Sequence, residues 1–333
     1  MDLVPFSAEM LSDAGKLLAI RHRNNRTVQA GLPNRFENEG DASLAIRSEW
    51  EKPNPSGVAA VKDGQLLGYL LGQRHQDSLR GRHIWISLAG HAIAEGASSE
   101  LYRELYAFAS QRWVDEGYFT HYSLLPSTDS GLIDAWFRLG FGYEQVHGLL
   151  SLEEDQAPPP LPVSGVEIRL ATPSDRDSIQ DLYEIIRSHQ AKAPVFAVAL
   201  PEDAQRIREG YAALLDDPSV HFWTAWKEGR IISFQAYYPS NHDTSSIITP
   251  DNCVELGVAA TRSEYRGQGI NRALTLHGLS HAKEKGYAYC MTDWRMTNLS
   301  SSRFWPRQGF LPVAYRLSRL IDHRISWANL PRF

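Results

Sequence analysis

A short glycine loop, Arg266-Gly267-Gln268-Gly269-Ile270-Asn271, carries the residue types best suited to chemistry in this chain. It follows an apolar run typical of a buried strand, Val254 to Ala260, and precedes a helical pattern that reaches Lys285. Glycines at such a junction allow several backbone N–H groups to point at one anion, and the helix dipole adds positive potential there. The loop therefore predicts a pyrophosphate site, although an isolated Arg-Gly-x-Gly turn is more often structural.

The segment that follows one strand later narrows this interpretation. Asn298 is followed seven positions on by an aromatic residue, Trp305, and then by Gly309-Phe310. With this segment, the C-terminal half of the chain resembles the GNAT superfamily, whose cofactor signature is Arg/Gln-x-x-Gly-x-Gly/Ala between the fourth strand and the third helix. Two positions depart from that pattern. Asn271 replaces the final Gly or Ala, and Trp305 replaces a residue that is commonly a Tyr acting as general acid.

The resemblance implies acetyl-CoA, an acyl-CoA co-substrate, and transfer of its acetyl group to a primary amine. The acceptor is then a small-molecule or peptide amine that attacks the thioester directly within one ternary complex. The strand backbone is expected to pair with the pantetheine arm, and the glycine loop to hold the pyrophosphate. The residues expected to bind the coenzyme are Val258, Ala259, Ala260, Arg266, Gly267, Gln268, Gly269, Ile270, Asn271 and Asn298.

Glu255 is the candidate catalytic base, because an amine must lose a proton before it attacks a thioester. Its alternative role is that of an edge-facing or salt-bridged carboxylate. Trp305 cannot donate the proton that the thiolate needs, so the sequence leaves the general acid unassigned. The tyrosines considered for it are Tyr237, Tyr265, Tyr289 and Tyr315, and the thiolate can also leave without an acid. Trp305 also motivates an alternative function, an acyl-CoA-binding sensor or regulatory protein without turnover.

The same landmarks occur twice along the chain. Gly117 and Gly286 each stand where a helix ends and a strand begins, and Phe141 and Phe310 each end a Gly-Phe pair. Both pairs are 169 residues apart. Each copy is predicted as a strand, a helical region, a hairpin, a strand, a long helix, a strand, a short helix and a last strand. This order predicts an α/β fold of two tandem GNAT-like domains, each a mixed sheet flanked by helices.

The prolines of residues 155–165 predict a stiff linker between the copies. We therefore expect a degenerate GNAT-like domain over residues 1–154 and a GNAT acyltransferase domain over residues 166–333. The offset of 169 aligns Arg266 to Gly269 with Ala97-Ser98-Ser99-Glu100, Asn298 with Asp129, and Glu255 with Ile86. The first copy thus lacks the cation and both glycines, so it is expected not to bind coenzyme. Ser98 or Ser99 is expected to cap a helix there instead.

Composition excludes other classes of function. The chain has 34 Lys plus Arg against 39 Asp plus Glu, a net charge of −5, and no basic tract that would follow a nucleic acid. Its first residues lack the pattern of a signal peptide, and no apolar run is long enough for a membrane span, so we expect a cytoplasmic protein. His277 and His281 have a metal-ligand spacing without a third ligand, so no metal is expected. The run Arg21 to Arg26 is expected to be a solvated helix face, with contact to an anionic substrate as its alternative. A homodimer built on the first copy stays open.

Overall fold

The computed structural model describes residues 1–153, 162–241, 243 and 246–328 of the chain. The first half contains β1 (Asp2–Pro5), α1 (Leu11–Val28), α2 (Glu39–Trp50), β2 (Pro55–Lys62), β3 (Gln65–Asp77), β4 (Gly81–Ile86), β5 (His91–Ile93), α3 (Glu100–Asp115), β6 (Thr120–Pro126), α4 (Ser130–Arg138) and β7 (Gly142–Ser151). The second half contains β8 (Glu167–Leu170), α5 (Arg176–Gln180), α6 (Tyr183–Gln190), α7 (Ala204–Ala213), β9 (His221–Lys227), β10 (Arg230–Pro239), β11 (Cys253–Thr261), α8 (Ile270–Glu284), β12 (Tyr289–Arg295), α9 (Leu299–Arg307), β13 (Leu311–Leu320) and α10 (Ile325–Ala328). Within these ranges, no helix is long and apolar enough to cross a membrane.

The order of elements confirms the predicted repeat. From β6 onward, β6 and β12, α4 and α9, and β7 and β13 each begin and end 169 residues apart. Gly117 and Gly286, which follow the long helices α3 and α8, have φ values of +84° and +90°. Residues with a Cβ rarely adopt that conformation, so a glycine marks the end of the helix in both copies.

The described residues form two compact units. Unit 1 holds residues 1–146, 243, 246–250 and 312–328, and unit 2 holds residues 147–153, 162–241 and 251–311. Unit 1 thus receives most of β13 from the second half of the sequence, while unit 2 receives the end of β7 from the first half. The predicted linker falls largely on residues 154–161, which lie outside the described residues, and the boundaries at 154 and 166 stay a prediction.

Unit 1 is a mixed sheet with helices on its faces. Its strands lie in the order β1-β2-β3-β4-β6-β13, with β5 also paired to β3, and β13 is antiparallel to β6. One core cluster packs α3 and α4 against the sheet around Trp113, Trp136 and Phe141. A second cluster contains Leu18 of α1 and Ile46 of α2. The sheet therefore has an apolar layer against each of its two faces.

Unit 2 repeats this arrangement in the order β7-β12-β11-β10-β9-β8. Helix α8 packs on one face, where Leu274 meets Ile232 of β10. Helices α5, α6 and α7 cover the other face around Phe234. Because successive residues of a strand point to opposite faces, β10 contributes side chains to both layers. The strands β11 and β12 lie in the middle of this sheet and position the candidate site.

Candidate acyl-coenzyme A site

The strands β11 and β12 pair only over the first part of their length. They run parallel with registered pairs from Cys253 to Leu256, and among the described residues no further pair joins them, although β11 continues to Thr261. On its other edge, β11 stays paired with β10 except at one extra residue, Gly257. Such a bulge bends a strand, which accounts for the separation. Beyond Gly257 the backbone of β11 therefore presents an open edge, at which an extended ligand can pair like an added strand.

Beyond Gly257, β11 and β12 diverge and form a fork, whose closed end is at Leu256. The glycine loop lies at the open end of this fork. Gly267 and Gly269 both have a φ of +78°, and a Cβ built on either would meet nothing within 4 Å. Glycine is therefore required here by the backbone conformation and not by space. The first helical N–H of α8 with a helical acceptor is that of Ala273, which donates to the oxygen of Gly269 at 2.9 Å. The N–H groups of residues 270–272 are thus left for an anion.

A cleft of about 420 Å³ runs from this loop between α6, β11 and α9. Its lining includes Arg266, Arg272 and His189, and no carboxylate among the lining residues that the structure describes. Eight of the ten residues predicted to bind coenzyme line it: Ala259, Ala260, Arg266, Gly267, Gly269, Ile270, Asn271 and Asn298. Gln268 is exposed outside the lining, and Val258 packs against the apolar cluster under α5, α6 and α7. The cleft is suited to a polyanion with an apolar arm.

Asn271 departs from the Gly/Ala of the GNAT signature, and its side chain has a structural role. Gln235 of β10 donates from its amide to Asn271 Oδ1 at 3.0 Å and to Thr275 Oγ1 at 2.8 Å. The hydroxyl of Tyr237 donates to Gln235 Oε1 at 2.6 Å. The Asn271 side chain therefore ties the first turn of α8 to the sheet, while its backbone N–H is one of those left without a helical acceptor.

His189 of α6 connects the glycine loop to the start of α9 across the cleft. Arg266 Nη1 donates to His189 Nδ1 at 3.2 Å, and His189 Nε2 lies 3.3 Å from Asn298 Oδ1. An arginine can only donate, so Nδ1 accepts and Nε2 carries the hydrogen. Sequence analysis missed His189, because α6 contains no motif and the contact joins residues that are 77 and 109 positions apart.

Glu255 lies at the closed end of the fork, two residues before Gly257. It is paired with Tyr238 of β10 and with Met291 of β12. Burial raises the pKa of its carboxyl group, and the negative charge of Asp293 raises it further. A carboxylate in this environment is a stronger base than an exposed one, as proton removal from an amine requires.

The four tyrosines considered as the acid lie in different surroundings. Tyr237 is buried and donates to Gln235, and burial raises the pKa of its phenol well above the usual range. Tyr265 lines the cleft beside Arg266, at the anion end. Tyr289 begins β12, and Tyr315 belongs to unit 1. Trp305 is 5% exposed and packs on Phe304 and Phe310.

Comparison with known proteins places this site in a family. Residues 180–310, which contain α6, the fork, the glycine loop and α9, match the profile of the Acetyltransferase (GNAT) family. Residues 180–310 therefore form a GNAT acetyltransferase domain. The aminoalkylphosphonate N-acetyltransferase of Salmonella typhimurium strain LT2 is 24% identical over 157 residues, which cover 46% of this chain and 91% of that protein.

Solved structures share the fold over nearly the whole length of the chain. A GCN5-related N-acetyltransferase from Sphaerobacter thermophilus matches with a TM-score of 0.63 at 14% identity, covering 96% of this chain and 94% of that one. A tandem GNAT protein from the clavulanic acid biosynthesis pathway matches with a TM-score of 0.53 at 14% identity, covering 96% and 98% of the two chains. The predicted fold, a tandem GNAT arrangement, is therefore confirmed.

The GNAT-like first copy differs at the position of Glu255, and strand register corrects the sequence alignment there. Trp85 of β4 pairs with Tyr122 of β6, while Glu255 pairs with Met291, the residue 169 positions after Tyr122. Trp85 therefore corresponds to Glu255, and the prediction of Ile86 is wrong by one residue. The constant offset fails here because the segments that follow the two strands, up to Gly117 and Gly286, differ in length by one residue.

In the first GNAT-like copy, a side chain fills the place where the strand edge would be open. Arg21 of α1 is 7% exposed and donates to the backbone oxygen of Leu88 at 2.6 Å, to the oxygen of His91 and to His91 Nδ1 at 3.1 Å. Leu88 and His91 lie just after β4, as the open edge of β11 lies after Leu256. The expectation that Arg21 lies on a solvated helix face is therefore wrong.

The start of α3 also lacks a place for phosphate. Arg103 and Arg138 each donate to the carboxylate of Glu100 at 2.6 Å. The N–H of Glu100 donates to Ser98 Oγ at 3.3 Å, whereas Ser99, the residue before the helix, makes no side-chain cap. Of the two serines predicted as caps, Ser98 makes the contact.

The histidine pair of α8 packs against aromatic side chains. The ring of His277 lies 5.6 Å from that of Trp223, and the ring of His281 lies 4.5 Å from that of His221. Within the described ranges, no three His, Cys, Asp or Glu side chains have an arrangement that would hold a metal ion. The role of this pair is packing between α8 and β9.

Proposed function

We propose that this chain transfers an acetyl group from acetyl-CoA to a primary amine by direct attack within a ternary complex in unit 2. The observation that carries the proposal is the fork, in which β11 separates from β12 directly beside a glycine loop. The pyrophosphate would bind at Gly267, Gly269 and the first turn of α8, with Arg266 and Arg272 as counter-charges. The amides of the pantetheine arm would pair with the open edge at Ala259 and Ala260.

Glu255 would take the proton that the amine loses. Its place at the closed end of the fork, with a raised pKa, supports this role. The Salmonella relative, an aminoalkylphosphonate N-acetyltransferase by name, supports a small amine as the acceptor. Phosphonate-bearing amines therefore belong in the set of acceptors that are tested first.

Binding of the coenzyme is tested by titration calorimetry with acetyl-CoA. Wild type should bind one acetyl-CoA per chain, and Gly269→Glu should lose binding, because a carboxylate then occupies the anion site. Gly229→Glu is the matched control, since Gly229 also has a positive φ, +72°, and open space at Cβ but lies in the β9–β10 turn. Equal affinity of wild type and Gly269→Glu would contradict the site.

Turnover is tested by thiol release on a panel of amines that includes aminoalkylphosphonates, amino sugars, polyamines and peptides. Wild type should release coenzyme A with at least one amine, and Glu255→Gln should be slower with the same amine. Tight acetyl-CoA binding without release on any amine would instead favour the sensor function, for which Trp305 is the motivating residue.

A further inference from the structure

Tyr238 lies at the point where β11 leaves β12. It is the cross-strand partner of Glu255, and it is partly exposed. Its side chain lies over Gly257, since a Cβ built on that glycine would be 1.7 Å from the phenol oxygen and 2.4 Å from Cζ. Gly257 is the bulge residue of the fork. The hydroxyl of Tyr238 is therefore held at the closed end of the open strand edge, next to the candidate base.

The neighbouring Tyr237 cannot take this place. Successive side chains on a strand point to opposite faces, and Tyr237 points towards α8, where a Cβ on Gly278 would be 2.3 Å from its ring. Its hydroxyl is already used by Gln235. Tyr238 points to the opposite face, and its phenol oxygen lies against the bulge residue of the open strand edge.

The first copy provides an internal comparison. There, Gln73 of β3 pairs with Trp85 of β4, as Tyr238 pairs with Glu255. Gln73 is 3% exposed and donates to the backbone oxygen of Glu49, and Trp85 has no ionisable group. The copy without a coenzyme loop has thus lost both members of the pair together.

We propose that Tyr238 is the general acid of this enzyme and that, with Glu255, it forms a two-residue proton circuit at the fork. The proposal rests on the proposed acetyl transfer. In this scheme Tyr238 donates the proton that Trp305 cannot donate, and the donor lies on β10 and not on α9.

The step balances as follows in atoms and charge. The neutral amine attacks the thioester carbon, a C–N bond forms, and the C–S bond breaks with its electron pair on sulfur. The sulfur takes the hydroxyl proton of Tyr238, and Glu255 takes the proton released by nitrogen. Transfer of that proton from Glu255 to the Tyr238 phenolate then restores both side chains without a further reactant.

The protonation state of Glu255 controls when the phenol of Tyr238 becomes acidic. Burial, and after it the negative charges of Glu255 and Asp293, raises the pKa of Tyr238 to about 12 in the free protein. Once Glu255 accepts the proton of the amine, its negative charge is gone, and the pKa of Tyr238 falls. The phenol thus becomes a stronger acid at the step in which the thiolate leaves.

The test is Tyr238→Phe, which removes only the hydroxyl. We expect kcat with acetyl-CoA to fall about 100- to 1,000-fold, as for the loss of a general acid. Acetyl-CoA affinity, measured by calorimetry, should change less than about twofold, because the hydroxyl acts in the transition state and not in ground-state binding. With an acetyl thioester of a nitro-aromatic thiol, whose thiolate needs no acid, the loss should shrink below about tenfold. Tyr69→Phe is the matched control, because it removes a buried hydroxyl of unit 1 that donates to the oxygen of Ala89 at 2.9 Å, and it should lower the melting temperature and leave kcat within about threefold of wild type.

Gly257→Ala is the second variant, because its methyl group displaces the Tyr238 hydroxyl without removing it. We expect a kcat loss similar to that of Tyr238→Phe, and a double variant no slower than the slower single one. A Tyr238→Phe enzyme with wild-type kcat, or one equally impaired with the activated thioester, would contradict the proposal. A wild type that binds acetyl-CoA but acetylates no amine would instead contradict the proposed function, and this proposal with it.

Discussion

Asn298 and Asp129, which are 169 residues apart, make the same contact in the two copies. Asn298 Oδ1 accepts the N–H groups of Ser300 at 3.2 Å and Ser301 at 3.4 Å, and Asp129 Oδ1 accepts that of Leu132 at 2.9 Å. Each side chain therefore caps the short helix of its copy. Only Asn298 also lines the cleft and contacts His189. Capping is the role that both copies share, and only Asn298 also faces the proposed coenzyme site.

Substitutions of Asn298 and Asp129 distinguish an effect on protein stability from an effect on acetyl-CoA binding. Asn298→Ala and Asp129→Ala should each lower the free energy of unfolding by about 1 kcal/mol, because each removes a helix N-cap. Only Asn298→Ala should also weaken acetyl-CoA binding, by about tenfold, a typical value for one lost hydrogen-bonding contact. Urea unfolding and calorimetry measure the two effects. Equal affinities of both variants would remove Asn298 from the coenzyme site.

The glycine loop should be sensitive to backbone strain. Gly267→Ala should cost about 1 kcal/mol of stability, because Ala is strained at a φ of +78°, and should weaken acetyl-CoA binding. Gly210 lies within α7, and a Cβ there meets nothing within 4 Å. Gly210→Ala should therefore stabilise the protein by about 0.5–1 kcal/mol and leave binding unchanged. Thermal unfolding with and without acetyl-CoA distinguishes the two, and a binding loss in Gly210→Ala would point to a global effect.

The pH dependence of turnover should report Glu255. Because the pKa of Glu255 is raised from 4.5, kcat/KM should fall as the pH is lowered, and the midpoint of this acid limb should lie above pH 4.5. Glu255→Gln should remove this limb and lower the rate by about 100- to 10,000-fold. Since the charge of Asp293 contributes to the raised pKa, Asp293→Asn should shift the limb to lower pH. A shift to higher pH, or none, would contradict the coupling of the two carboxylates.

Unit 1 should lose stability on acidification. Burial lowers the pKa of His22 and His121 to about 4 and that of His91 to about 3. The unfolded chain binds these protons from about pH 6.5 downward, and the folded chain does not, so the free energy of unfolding falls as pH drops through that window. At about pH 5 the loss is on the order of 2 kcal/mol for each histidine.

Urea unfolding at about pH 7.5 and about pH 5 measures this loss. His22→Gln should retain the contact with the Pro33 oxygen, which His22 Nε2 makes at 2.6 Å, and should make the pH dependence shallower. An unchanged slope in this variant would mean that His22 is protonated in the folded protein.

Local features of the site could be predicted from the sequence alone. Gly267 and Gly269 signal their loop because a positive φ is a property of single residues, and Asn298 signals a cap because its partners lie two and three residues away. The repeat could be predicted for the same reason, since each copy carries the same helix-ending glycine. These contacts close within a few residues of the chain, so residue type and spacing determine them.

The pairing of distant segments required the tertiary structure. The partnership of Tyr238 with Glu255, and of Gln73 with Trp85, depends on strand register, which loops of unequal length shift by whole residues. His189 reaches Asn298 across 109 positions, and Arg21 reaches Leu88 across 67, through packing of helices on the sheet. The sequence alone therefore determined where the glycine loop lies and which copy carries it. Only the fold decided which side chains meet at the fork, because nonlocal packing and not local propensity brings them together.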